Sequence, residues 1–211
     1  MSDRTKLSTR SSRSTGLGGM VRAASRTAKA QAVVLGVPLA AAWVSLAVNT
    51  VLGGALSAFG IQPRSLDGLR GILFAPFLHA NLAHLLANSV SFVVLGWLVL
   101  ASAPRVFLRV TAMSALGSGL VSWLFGAPGS VHIGASGVIF GYLGYLMLAG
   151  VFARKLSTIV LSLAVTGLFG ATVWGVLPGQ AGVSWQGHLG GFLGGMLAAR
   201  WVHGRRPSAR L

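Results

Sequence analysis

Val131-His132-Ile133-Gly134-Ala135-Ser136-Gly137-Val138-Ile139-Phe140-Gly141 sets a serine between small residues at the start of a long apolar run. Two comparable beginnings flank it: His79-Ala80-Asn81-Leu82-Ala83-His84-Leu85-Leu86-Ala87-Asn88 upstream and Gln186-Gly187-His188-Leu189-Gly190-Gly191 downstream. A hydroxyl, imidazoles and an amide thus open segments that are otherwise hydrophobic. Polar groups at membrane depth are costly enough that function is their first reading, and together these read as a hydrolytic site built inside a bilayer.

The surrounding chain supports a bilayer setting. Of 211 residues, 54% are hydrophobic and 9% charged, and the mean hydropathy is +0.75, a polytopic membrane composition. Apolar runs able to cross roughly 30 Å of hydrocarbon fall at about 31–54, 82–102, 107–126, 133–153, 156–177 and 183–202. They predict an all-α bundle of six transmembrane helices in a membrane domain over 31–203. Short connections after the second to fifth spans make those helices antiparallel neighbours. Residues 1–30, rich in Arg, Ser, Thr and Gly, are predicted to form a disordered basic tail, and 204–211 a second basic tail. The start lacks the apolar core of a signal peptide, while its Arg- and Ser-rich, acid-poor character also suits an organellar transit sequence. The long connection at 55–81 mixes Pro63, Arg64, Asp67 and Arg70 with Leu66, Leu69, Ile72, Leu73, Phe74 and Phe77. Too polar to span, it either rests in the membrane interface or is an ordinary tethered loop.

A formal charge of +15 would suit a nucleic-acid partner, but the basic residues lie on segment flanks and tails rather than along one face. Nucleic acid is therefore not expected as a partner. Charge bias orients the spans instead. The tail residues Arg4, Lys6, Arg10, Arg13, Arg22, Arg26 and Lys29 fall on one side with Arg105, Arg109, Arg154, Lys155, Arg200, Arg205, Arg206 and Arg210, whereas Arg64 and Arg70 fall on the other. Both termini are then cytoplasmic, and the second, fourth and sixth spans all enter from the outer face. His84, Ser136 and His188 each lie within the first two turns of those spans, so the three motifs converge at one level, slightly recessed from the extracytoplasmic surface. Localisation follows as a multi-pass protein of the plasma membrane.

Absent residues narrow the chemistry. There are no cysteines, hence no disulfide, thiolate nucleophile or cysteine-held metal. Asp3 and Asp67 are the whole acidic complement, and neither falls in a span, so a buried Ser-His-Asp triad is not expected, nor is a metal or cofactor. Ser136 and His188 remain as nucleophile and base, since neutral imidazole is suited to take a hydroxyl proton near neutral pH. Phe140, four residues after Ser136 on the same helical face, can stack on the imidazole. His84 and Asn88, at i and i+4, can join the Ser136 amide as oxyanion donors. Gly137 and Gly141 on one span, and Gly187, Gly191 and Gly195 with Gly190 and Gly194 on another, supply small-residue faces for close helix contact in lipid. Each piece also has a structural reading: Ser136 as a packing or backbone-bonding residue, His84 and Asn88 as interhelical glue, and His79 as a structural hydrogen-bonder or a substrate contact. His132 is expected to be solvated and His203 interfacial.

Taken in order, these motifs resemble the rhomboid family of intramembrane serine proteases, in its minimal six-helix bacterial form. Gly134-Ala135-Ser136-Gly137 resembles the Gly-x-Ser-Gly nucleophile motif of the fourth helix. His188 with Gly190 and Gly191 resembles the sixth-helix histidine motif, and His79, His84 and Asn88 resemble the second-helix His-x4-His-x3-Asn element. The resemblance covers about 31–203. It implies Ser136 as nucleophile, His188 as general base and acid, and His84, Asn88 and the Ser136 amide as the oxyanion hole, with Gly134 shaping the backbone beside the serine. It further implies transmembrane proteins as substrates, admitted laterally past the fifth span and the 178–182 connection with Pro178 and Gly179. Two positions depart from the family pattern: Leu69-Arg70 stands where a Trp-Arg pair is frequent, and Phe140 where tyrosine is frequent. Neither removes a catalytic atom. The competing expectations are an inactive rhomboid-like protein that binds membrane helices, a bis-histidine haem protein using His84 and His188, and a small-solute transporter. The sequence leaves the oligomeric state open.

Overall fold

The computed structural model describes residues 17–180 and 182–204, and what it describes is helix and connection throughout. The long helices are α1 (Leu17–Val51), α3 (Leu82–Ser102), α4 (Phe107–Phe125), α5 (Ser136–Ala153), α6 (Leu156–Phe169) and α7 (Trp185–His203), with a one-turn helix α2 (Gly71–Phe74) in the first long connection. Among the described residues no strand forms, and a single antiparallel bridge pairs Ile61 with His132. This is the helical membrane bundle expected from the apolar runs.

Two boundaries and the apolar character of one helix differ from expectation. α1 begins at Leu17 rather than near residue 31, so residues 17–30 of the expected tail are helical. Their alanines and arginines are good helix formers despite their polarity. Residues 1–16 and 205–211, the rest of the two expected tails, lie outside the described residues. The fifth span is helical only to Phe169 and continues as a 3-10 turn over Gly170–Val176. Five helical stretches are long and apolar enough to cross a membrane, at Arg22–Val51, Leu82–Ser102, Pro104–Phe125, Ser136–Ala153 and Leu156–Val176. The expected sixth, α7, is absent from that set because Gln186, His188 and a run of glycines dilute its hydropathy. It packs into α4 and α5, with Gly187, Gly190, Gly191, Gly194, Gly195, Ala198 and Ala199 all buried, so protein rather than lipid covers most of its backbone.

Small residues set how closely these three helices approach. A Cβ at Gly191 would collide with the Gly137 carbonyl, and one at Gly195 with the Gly141 carbonyl. On the adjoining face, a Cβ at Gly190 would collide with the Gly117 carbonyl and one at Gly194 with that of Met113. The two small-residue rows of α7 therefore face α5 and α4 respectively. Without a hydrophobic drive between helices in lipid, such backbone-to-backbone packing is what holds them. Inward-facing Leu95, Val99, Val110, Tyr142, Leu143, Tyr145, Leu146 and Val165 complete the core. Val90, Leu108, Leu116, Val160 and Leu163 point outward and are exposed, the face that lipid covers.

The 55–81 connection is firmly tethered. Arg64, at φ 58, donates from its amide to the Trp123 carbonyl (3.0 Å) and from its guanidinium to the Leu124 carbonyl (3.0 Å). A cation thereby meets the negative end of α4. The Trp123 indole N–H returns a bond to the Ser65 carbonyl at 2.7 Å. Arg70 lies 4.7 Å over the Phe59 ring, while Leu66 and Leu73 remain exposed.

Candidate active site

α5 starts at Ser136, and no side chain caps that start. The first amides of the helix therefore have no partner within it, and they concentrate the positive end of its dipole beside the serine hydroxyl. α7 starts at Trp185, capped by Ser184, whose hydroxyl accepts from the Gly187 amide at 3.3 Å. His188 follows in the first turn. Because Gly191 and Gly137 let the helices touch, the two side chains meet: Ser136 Oγ lies 2.8 Å from His188 Nε2.

The other ring nitrogen fixes the direction of that bond. His188 Nδ1 lies 2.9 Å from the Gly175 carbonyl, which can only accept, so Nδ1 carries the proton and Nε2 presents its lone pair to the serine O–H. A main-chain carbonyl thus orients the imidazole in a protein that has no carboxylate to spare. Phe140 stacks on the same ring with centroids 4.0 Å apart and planes 12° apart. His188 is 9% exposed, held by a bond on each nitrogen and by a ring on one face.

His84 and Asn88 lie against Gly134, two residues before the serine. Asn81 caps α3 by accepting from the His84 amide at 2.9 Å, which starts the helix so that His84 and Asn88 fall one turn apart. Gly134 is at φ 118, and its amide is bonded to the Ala75 carbonyl at 2.8 Å. A Cβ there would sit 2.8 Å from His84 Nε2 and 3.4 Å from Asn88 Nδ2, so the position needs glycine for both its backbone angle and its neighbours. Asn88 is 8% exposed, and its Nδ2 is a buried donor with no partner among the described residues.

His79 supports this wall from behind. It is 1% exposed, its ring packs edge-on against His84 at 5.0 Å, and neither nitrogen has a hydrogen-bond partner meeting normal geometry. Burial, reinforced by His84 and weakly opposed by the backbone at Phe77, pushes its pKa down to about 4. His79 is accordingly neutral at physiological pH. Gly137, the remaining motif residue, faces Ser118 and the Gly187 carbonyl and serves helix approach.

Three participants were not read from the sequence. The Gly175 carbonyl carries no side-chain signal. His132, expected to be solvated, is half-buried and bridges Ser130 Oγ at 3.0 Å and Ser184 Oγ at 2.6 Å, tying the 126–135 connection to the start of α7. Burial lowers its pKa. The serine at 184, just before an apolar run, was a legible cap signal. Ser136 borders a cavity of about 20 Å³ lined in part by Ser118, Ser122, His132 and Ser184, and Ser122 Oγ is buried there without a partner among the described residues. A cavity of this size with these polar groups in its wall accommodates one water molecule. His203, at the far end of α7, bonds Tyr145 Oη at 3.0 Å. Among the described residues no group of His, Cys, Asp and Glu is arranged to hold a metal ion.

Comparison with known proteins identifies the family. The Rhomboid domain family matches residues 67–205, a stretch that contains every one of these side chains. The chain is 42% identical over 171 residues to an uncharacterized protein of Mycobacterium tuberculosis, covering 77% of this chain and 71% of that one. An uncharacterized protein of Mycobacterium bovis matches to the same extent. Similarity to Rhomboid protease GluP of Bacillus subtilis is 30% over 158 residues, which is 68% of this chain and 29% of that protein. This multi-pass helical membrane protein belongs to the rhomboid family.

Proposed function

We propose that the protein is an intramembrane serine endopeptidase that cleaves peptide bonds in or near transmembrane segments of other membrane proteins. The observation that carries this reading is the 2.8 Å contact between Ser136 Oγ and His188 Nε2, with Nδ1 committed to the Gly175 carbonyl. In this reading Ser136 Oγ attacks the scissile carbonyl carbon while its proton passes to Nε2. The oxyanion so formed takes hydrogen bonds from the Ser136 amide, Asn88 Nδ2 and His84. The imidazolium then returns the proton to the leaving amine, and the acyl group remains on Ser136 until water, activated by the same Nε2, releases it. Each oxyanion donor contributes a few kcal/mol to the transition state. The small cavity bordered by Ser136 offers a place from which water reaches the acyl group.

A transmembrane helix hides its carbonyls in its own hydrogen bonds, so a substrate must unwind locally before attack. Glycine and other weak helix formers near the cut favour that step. Substrate access past α6 agrees with how little of it is buried: only Ser162 and Val165. Ser162 pins its cytoplasmic half, donating to the Leu146 carbonyl at 2.6 Å and accepting from the Gly150 amide at 2.9 Å. In this reading the site lies toward the extracytoplasmic face of a plasma membrane, which the charge bias supports. The test is co-expression with a single-span substrate: cleavage by wild type and its loss in both Ser136→Ala and His188→Ala are expected, and cleavage that persists in either variant contradicts the proposal.

A further inference from the structure

The opposite end of the bundle holds an unexplained concentration of positive charge. Between α4 and α7 lies an open groove of about 840 Å³ lined by Ala112, Met113, Leu197 and Trp201 together with the cations Arg109 and Arg200. Both arginines are exposed, and the Arg109 guanidinium sits 5.4 Å over the Trp201 ring, which holds it at the groove. Arg154 and Lys155 follow directly after the end of α5. Nothing acidic on the described chain compensates them. The sequence has only Asp3 and Asp67; Asp67 belongs to the 55–81 connection at the other end, and Asp3 lies outside the described residues.

An apolar groove open to lipid, flanked by two uncompensated guanidinium groups at the level of the headgroups, is complementary to an anionic phospholipid. The arginine fork matches a phosphodiester, and the apolar lining matches an acyl chain. We propose that this groove binds one anionic phospholipid, its phosphate between Arg109 and Arg200 and an acyl chain along Ala112, Met113 and Leu197. The alternative occupant, residues 205–211 of the same chain, would bring Arg205, Arg206 and Arg210, like charges that disfavour its seating between Arg109 and Arg200.

Native mass spectrometry of the full-length protein, offered phosphatidylglycerol and phosphatidylcholine with identical acyl chains, tests this. At about 5-fold for each cation, a preference on the order of 30-fold for one phosphatidylglycerol is expected. Arg109→Gln with Arg200→Gln should bring the ratio close to unity. Ala112→Trp, which fills the groove and keeps both charges, should weaken retention of either lipid, while Arg22→Gln with Arg26→Gln on α1 should change nothing. Equal retention of the two lipids by the wild type would overturn the proposal without requiring any variant to fold. So would a preference that survives the double substitution, or one that appears only after residues 205–211 are removed, which would make the tail the occupant.

Discussion

Adding a single methyl group at Gly191 should disable the site without touching a reacting atom. Gly191 packs on the Gly137 carbonyl with no room for a Cβ, and the obstacle is backbone, which cannot swing aside. Ordinary carbon-to-oxygen contact requires α7 to withdraw from α5 by about 1 Å. The Ser136–His188 bond, 2.8 Å long, spans those same two helices one turn away, so this withdrawal takes it beyond hydrogen-bonding reach. Misplacement of about 1 Å costs on the order of 100-fold in rate. Gly191→Ala should therefore reduce the acylation rate of Ser136 by a fluorophosphonate about 100-fold, and Gly191→Val should abolish it. Gly167→Ala is the matched control: it lies on α6 with nothing near its would-be Cβ, and it should leave the rate unchanged. Both proteins are compared in the same detergent, with thermal unfolding followed in parallel. A wild-type acylation rate in Gly191→Ala would refute the claim that glycine packing positions the pair.

Other parts of the site give separate expectations. Asn88→Ala removes an unpaired buried donor and should lower kcat for a single-span substrate about 100-fold, with KM little changed. Phe140→Ala removes the ring stacked on His188 at 4.0 Å; such contacts contribute about 1 kcal/mol, so acylation should slow about 5-fold. His79 gives a pH signature in stability. Its folded pKa of about 4 lies below the unfolded value, so the unfolded chain binds the extra proton first as pH falls. Stability should decline from about pH 6.5 down to pH 4 and then level off, and His79→Phe should flatten that part of the thermal unfolding profile.

What the chain disclosed and what it withheld follow from where the information resides. Helices α3, α4 and α5 are legible because continuous apolar runs end at polar or glycine-rich connections, and the meeting of Ser136 with His188 agrees with helix parity, which starts alternate spans on one side. The two faces of α7 were legible as glycine spacings of four residues. Its membrane character was harder to read, because hydropathy measures preference for lipid and α7 is surrounded largely by protein. The first residues of α1 read as a tail because they are polar and arginine-bearing, although their alanines favour helix. The Gly175 carbonyl could not be found from side-chain patterns, since any residue carries one. His132 was misplaced for the opposite reason: an isolated polar residue in a connection looks solvated until the partners that bury it, Ser130 and Ser184, are brought close.

The most direct test of the central claim is covalent labelling of the purified protein with a fluorophosphonate, followed by mapping of the modified peptide. The account predicts one adduct, on Ser136, present in the wild type and lost in His188→Ala. An adduct on another residue, or one on Ser136 that forms as fast without His188, would contradict it.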